Sequence, residues 1–267
     1  MNEYSIHGGR KGNERLAILS RTVGATTSKF LDAHQATLSG SCLDLGCGSG
    51  SVSLDIAKRL QGRGEVYGLD MDPVNIASAQ EAASRQQVQN IQFQRFDAYE
   101  LTDTGRYNAV YSRFLLSHLH DPAKVLDNIF RGLVPGGRVL LEDTDFSGHF
   151  CYPASPAFDA YVRLYQALLE ARGADANIGR KLHQLLQQAG FQEISVQVVQ
   201  PVHTQEEGKL MAEITMEGIA GALLQEGLAG EAEIRETVRE LKAFRADELT
   251  IMSLPRIFQV SAVKSKN

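Results

Sequence analysis

Three glycines, Gly46, Gly48 and Gly50, fall within five positions of "DLGCGSG", directly after the apolar run "SCLDLG". Glycine tolerates positive φ and has no Cβ to hold a ligand away, so a strand ending in such a loop can lay its backbone amides against a small molecule. A tight turn uses glycine in the same way, and the loop alone leaves both readings open. Asp70 closes a second apolar run about 20 residues later, and Asp97 closes a third. A carboxylate in Asp70's position is suited to accept hydrogen bonds from two ribose hydroxyls. Successive strand ends that carry glycines, then one acid, then another, form a single polar rim. Further along lie groups able to move protons: His118 and His120 in "SHLHDP", then Asp145 and His149. A histidine near its ordinary pKa is poised to act as a general base at neutral pH. Supporting or helix-end roles are the alternative for each.

These residues need elements that bring them to one edge. Residues 13–38 carry two helical patterns, "NERLAILSRTV" and "TTSKFLDAHQATL", with Asn13 and Thr26 or Thr27 as N-caps. From residue 41 the pattern alternates: strand 41–46, helix 49–61, strand 64–70, helix 73–87 opened by Pro73, and strands 90–98 and 107–114. A helix over 121–134, a "PGG" turn at 135–137 and a strand over 138–146 follow. The last third has two helical stretches, a strand over 193–203, a helical excursion over roughly 205–247 and a final strand over 255–264. Strands separated by helices of this length predict parallel crossovers and a doubly wound α/β sheet, with ligands at the carboxyl ends of its strands. The two late strands should lie side by side at one edge, with the excursion as a cap over the carboxyl ends. We expect one domain, comprising a helical lid (1–38), a core (39–204), a helical insertion (205–254) and a closing strand (255–264).

Composition narrows the function. The 267 residues are 43% hydrophobic and 22% charged, enough for a full core and an ordinary soluble surface. A net charge of −5 with no basic stripe argues against a nucleic-acid partner. Three irregularly spaced cysteines make neither a disulfide framework nor a CxxC metal site. No apolar run reaches signal-core or membrane-spanning length. The expectation is a cytoplasmic protein with no membrane association, no metal and a small-molecule partner, with a homodimer left open.

"LDLGCGSG", "VYGLDMDP", "FQRFDA", "YNAVYSRFLLSHLHDP" and "LVPGGRVLLEDTDF" together resemble the ordered motifs of class I S-adenosylmethionine-dependent methyltransferases. Within that class the chain is most similar to the bacterial group related to ubiquinone and menaquinone C-methylases. The resemblance is dense over residues 41–147 and specific for fold and cofactor, not for acceptor. It implies a Rossmann-like seven-stranded sheet, mostly parallel with an antiparallel last strand, under a helical cap. It also implies that Asp44 and the Gly46–Gly48 backbone hold the methionine part of S-adenosylmethionine and that Asp70 takes the ribose. Met71 would pack on the adenine (simple core packing is its alternative), Asp97 would accept from the adenine amino group, and the Ala98 N–H would face a ring nitrogen. Ser112 and Arg113 would stand where the methyl group leaves, unless Arg113 forms a surface ion pair instead. By analogy with leading helices that fold over the cofactor, Tyr4 and Arg15 would reach its carboxylate or the acceptor. The acceptor would be a small organic molecule methylated on oxygen, carbon or nitrogen. His118 is the candidate base and Asp145 a pocket residue.

Two rivals follow from the same residues. A nicotinamide-dependent oxidoreductase shares glycines followed by an acid, but Ser51 stands where the third glycine of its fingerprint belongs. A cofactor-binding protein without catalysis would keep the same motifs. The fourth strand ends in "YSRF", which lacks both the Asp/Asn-Pro-Pro-aromatic signature of amino-methylating enzymes that act on DNA bases and the acid that metal-dependent catechol enzymes use there.

Overall fold

The computed structural model describes residues 9–266. The chain opens with α1 (Gly9–Ala33), followed by β1 (Gly40–Leu45), α2 (Ser51–Leu60), β2 (Gly64–Asp70), α3 (Pro73–Arg85) and β3 (Ile91–Arg95). Then come β4 (Tyr107–Arg113), α4 (Pro122–Gly132), β5 (Leu133–Asp145), β6 (Cys151–Tyr152), α5 (Pro156–Ala171) and α6 (Leu182–Gln188). The last third contains β7 (Gln192–Val199), β8 (Val202–His203), α7 (Glu206–Gln225), α8 (Glu231–Ala246), β9 (Ile251–Ser253) and β10 (Arg256–Val263).

Among the described residues, seven strands form one sheet in the order β3-β2-β1-β4-β5-β10-β7. The five strands β1 to β5 run parallel, and β10 lies antiparallel between β5 and β7. This is the expected mixed Rossmann-like sheet, with the late pair at one edge. Chain order reverses between β1 and β4, so a crevice opens beyond the carboxyl ends there. Buried apolar residues cover both faces, with Leu43, Val110, Ile129 and Leu141 in one cluster and Cys42, Ile56, Val66 and Tyr111 in another. A third cluster, including Phe158, Leu164, Met216 and Leu241, welds α5, α7 and α8 into a helical layer.

Three local expectations are corrected. Residues 9–33 form one helix, not two. Thr26 Oγ1 donates to Val23 O, one turn back, and the buried Thr27 hydroxyl donates to Glu142 Oε2 at 2.7 Å. Neither threonine caps anything, because local and tertiary partners take both hydroxyls. The "PGG" segment is not a separate turn: β5 runs through it, with Gly136 at φ +79° and a register shift against β4 between Tyr107 and Ala109. The strand expected over 193–203 is divided, and Val202–His203 pairs instead with β9 in a small second sheet.

Glu142 anchors α1 to the sheet. It is 1% exposed and takes hydrogen bonds from Thr27 of α1, Tyr111 of β4 and Gln259 of β10. A buried carboxylate surrounded by donors is tolerated where a lone one is not.

Candidate active site

The glycine loop is tied down at both ends. The N–H groups of Gly46 and Cys47 both donate to Leu69 O, at 2.7 and 3.0 Å, so the end of β1 is locked to the end of β2. Gly46, Gly48 and Gly50 hold φ of +76°, +54° and +79°, which side-chain-bearing residues rarely adopt. A Cβ on Gly50 would stand 2.8 Å from both Ala79 Cβ and Phe93 Cζ, so this glycine permits the close approach of helix and strand.

Asp70 is the centre of this corner. Its Oδ2 accepts the Gly48 N–H at 2.8 Å, and its Oδ1 accepts the Asp72 N–H at 2.9 Å and the Asn75 amide at 3.1 Å. One carboxylate thus braces the loop against the start of α3. A carboxylate offers about four acceptor positions. With three in use, one remains for a ligand, and a second opens if Asn75 swings away. Burial raises the Asp70 pKa, opposed by these donors. Met71 and Val74 stand beside it, 46% and 41% exposed, so Met71 is not core packing. They offer apolar surface that a flat ring would cover.

Asp44 lies beneath the loop, 2% exposed, and accepts the Ser53 hydroxyl from the first turn of α2. Burial lifts its pKa to about 6, with the Ser53 bond and the charge of Arg113 acting the other way and Asp70 adding to the rise. Asp44, Asp70 and Arg113 therefore share one electrostatic environment. Arg113 Nη1 donates to Thr27 Oγ1 at 3.0 Å, turning the guanidinium toward α1. Ser112 is occupied, its hydroxyl donating to Leu45 O at 2.7 Å. On the third strand end, Asp97 Oδ1 accepts the Tyr99 N–H at 2.9 Å and caps the turn that begins at the half-buried Ala98. Tyr4 lies outside the described residues.

A second space lies beyond the ends of β4 and β5, a cavity of about 60 Å³. Its walls come from α1 (Arg15, Leu19), the segment after β4 (Phe114, Ser117, His118), the segment after β5 (Phe146, His149), α5 (Tyr161, Tyr165) and α7 (Met211, Thr215). Phe114 holds φ +56°, uncommon for a bulky residue, and its N–H donates to Glu142 O at 2.8 Å. Asp143, 1% exposed, holds the turn that carries His118: its oxygens accept the Ser117 and Thr144 N–H groups at 3.2 and 2.8 Å.

Both cavity histidines are held neutral. Burial and, to a smaller extent, the nearby charge of Arg15 lower the His118 pKa to about 4. Burial likewise brings His149 to about 4, against a weak upward pull from Phe146 O, 2.8 Å from Nδ1. Each ring keeps some surface because it lines the cavity, yet protein encloses most of it. Tyr161 is pushed up by burial, with Arg15 opposing.

Asp145 requires a correction, because it does not line this cavity. The side chain is 2% exposed and ion-paired with both Arg180 and Arg256, the latter at 2.7 Å. An acid neutralised by two guanidiniums is a structural clamp, not a free base. Tyr161, Tyr165, Met211 and Thr215 escape the sequence reading, since aromatic and apolar residues spaced i, i+4 on a helix look like core. The signal that could have found them is the pair of phenols on an otherwise apolar face. Among the described residues, no group of three or more His, Cys, Asp or Glu is placed to hold a metal.

Residues 39–190 match a family model described as a methyltransferase domain. The chain belongs to that methyltransferase family. It is 31% identical over 114 residues to the ubiquinone biosynthesis O-methyltransferase of Acinetobacter baylyi, covering 42% of this chain and 47% of that protein. With the demethylmenaquinone methyltransferase of Lactiplantibacillus plantarum it shares 36% over 104 residues, or 38% and 44% of the two chains. The chain thus spans about half the length of the curated relatives it matches. In fold, this methyltransferase-family chain is similar to the phosphoethanolamine N-methyltransferase 2 of Haemonchus contortus, solved with phosphomonomethylethanolamine and S-adenosylhomocysteine. That match has TM-score 0.53 at 20% identity and covers 95% of this chain and 53% of the other. The resemblance drawn from the ordered motifs and the family match agree.

Proposed function

We propose that this chain is an S-adenosylmethionine-dependent methyltransferase that acts on a small organic acceptor in the cytoplasm. The supporting observation is the Asp70 corner. A carboxylate braced by the Gly48 amide, with one acceptor position to spare and exposed Met71 beside it, fits a ribose followed by a purine. When bound, the cofactor supplies a methyl group on a positively charged sulfur that departs as a neutral thioether, so little acid–base help is needed. The protein's own task is alignment and exclusion of water. In this reading Asp44 and the Gly46 to Gly48 backbone hold the amino-acid end, Arg113 stands where the methyl group leaves, Asp70 takes the ribose, and Asp97 with the Ala98 N–H the adenine. The acceptor enters the cavity over the ends of β4 and β5, with α1 as its cover: Leu16 Cδ1 would lie 3.5 Å from a Cβ on Gly48, and Ser20 Oγ donates to Ser51 Oγ at 2.8 Å. With its pKa near 4, His118 stays neutral but is a weak base. Its proposed role is therefore to orient the nucleophile by a hydrogen bond. The cytoplasmic assignment draws support from Cys42, Cys47 and Cys151, all unpaired, as expected in a reducing compartment.

The relatives' names span quinone-pathway O-methylation and phosphoethanolamine N-methylation, so the acceptor class is not inherited from them. Calorimetric titration with S-adenosylhomocysteine and, separately, NADH tests the cofactor. Micromolar binding of S-adenosylhomocysteine with none of NADH is expected, and binding of NADH alone refutes the proposal. Methyl release to phenols, amines and carboxylic acids then separates an enzyme from a binding protein.

A further inference from the structure

The cavity over β4 and β5 has an unbalanced charge. Arg15 reaches it from α1, and its Nε is buried with no hydrogen-bond partner among the described residues. None of the described residues that line the cavity is an aspartate or glutamate. Asp145, whose charge acts on His149, is already paired with Arg180 and Arg256, and Asp143 behind the wall is bonded to the Ser117 and Thr144 N–H groups. An enclosed guanidinium donor without an acceptor costs free energy unless a ligand supplies one. One wall is an aromatic cluster, with neutral polar groups such as His118, His149 and Thr215 beside it: Phe146 and Tyr165 stack with centroids 4.0 Å apart, and Tyr161 packs edge-on to Phe146 at 5.6 Å.

From this juxtaposition we infer that the acceptor carries an anionic oxygen on an aromatic body, with the oxygen held by Arg15 and the ring seated among Phe146, Tyr161 and Tyr165. The inference rests on the methyltransferase reading and narrows its acceptor. A carboxylate or a phenolate would supply the same chemistry. An ammonium acceptor would find aromatic faces too, but it would meet the charge of Arg15 and no counter-charge. The cavity of about 60 Å³ is smaller than the roughly 150 Å³ engineered cavity known to take benzene. Seating a ring therefore requires α1 or α7 to move outward.

The test is direct binding, by calorimetry or ligand-observed NMR, of benzoate, 4-nitrophenolate, benzamide and benzylamine to the full chain, with and without S-adenosylhomocysteine. Benzoate or 4-nitrophenolate should bind at least roughly tenfold more tightly than benzamide, as expected for one charge-assisted hydrogen bond. Whichever anion binds better identifies the source of the oxygen. In Arg15→Gln that preference should fall to about twofold while S-adenosylhomocysteine affinity stays within about twofold of wild type, and Arg15→Lys should recover part of it. Equal binding of benzoate and benzamide, tighter binding of benzylamine, or an anion preference that survives in Arg15→Gln overturns the inference. The wild-type comparison does not depend on any variant folding. If benzoate is preferred but S-adenosylhomocysteine does not bind, the Arg15 site stands and the cofactor assignment falls; the reverse pattern rejects Arg15 alone.

Discussion

Replacing Asp70 by alanine should produce two separable losses. In the free protein the carboxylate accepts from Gly48, Asp72 and Asn75. The Asn75 amide can turn to water, but the two backbone N–H groups lose their acceptor at half-buried positions. Water replaces such bonds in part, so each costs about 1 kcal/mol, not the full penalty of a sealed donor. The sum of about 2 kcal/mol corresponds to a fall of roughly 5 °C in melting temperature for a chain of this size. The binding loss differs in origin. One ribose hydroxyl can use the spare acceptor position, and that charged bond is worth about 1.5–3 kcal/mol. The second hydroxyl must displace Asn75, so its net gain is smaller, about 1 kcal/mol. Together they predict S-adenosylhomocysteine affinity about 70- to 900-fold weaker in Asp70→Ala. Asn75→Ala, which removes the competing donor, should bind at least as tightly as wild type. Calorimetry at matched ionic strength, with thermal melts of the same samples, reads both quantities. A melt lowered as described with affinity within about threefold of wild type would refute the ribose placement, leaving Asp70 as a brace for the loop and nothing more.

Gly50→Ala combines a positive φ with a Cβ at 2.8 Å from Ala79 and Phe93, so it should destabilise the fold by about 2–4 kcal/mol; a denaturant midpoint equal to wild type would show that the α2–α3–β3 packing is looser than described. The buried His149, with its pKa brought from the ordinary 6.5 to about 4, contributes stability that is present above about pH 6.5 and lost as pH falls toward 4, worth at most about 3 kcal/mol. Asp44 and Asp143, each raised to about 6, act with the opposite sign over nearly the same interval and flatten the wild-type curve. The measurement is therefore the difference between wild type and His149→Gln in chemical denaturation at pH 7.5 and pH 5: the variant should lose less stability on acidification, and parallel curves would place the ring in contact with solvent.

How much of this could be read in advance depends on the range of the forces involved. The glycine loop, Asp70 and Asp97 were legible as strand-end residues because each lies at or just past the end of a short strand, and parallel crossovers carry all such ends to one edge. Nothing beyond neighbouring residues is needed to place them. Helix α1 was misread for the opposite reason. Thr27 looks like a cap until Glu142, 115 residues away, supplies its acceptor. Asp145 reads as a cleft acid by position alone. Only Arg180 and Arg256, one from the turn before α6 and one from the last strand, reveal that its charge is already neutralised.

The contrast extends to what each part of the site can recognise. The rim proposed for the nucleoside is built from backbone amides and acids at strand ends, so its chemistry is written in contiguous motifs. The cavity proposed for the acceptor draws one to three residues from each of several segments scattered between Arg15 and Ile257, and no single contiguous motif describes it. Its most informative member, Arg15, sits on a helix that the sheet does not require for its own pairing but holds through the buried Glu142. If α1 both covers the glycine loop and carries the cation that selects the acceptor, then loosening Glu142 should degrade acceptor selection along with cofactor retention, although Glu142 lines neither space. Coupling of that kind is a property of the packed molecule, which is why the cofactor was legible in the sequence and the acceptor was not.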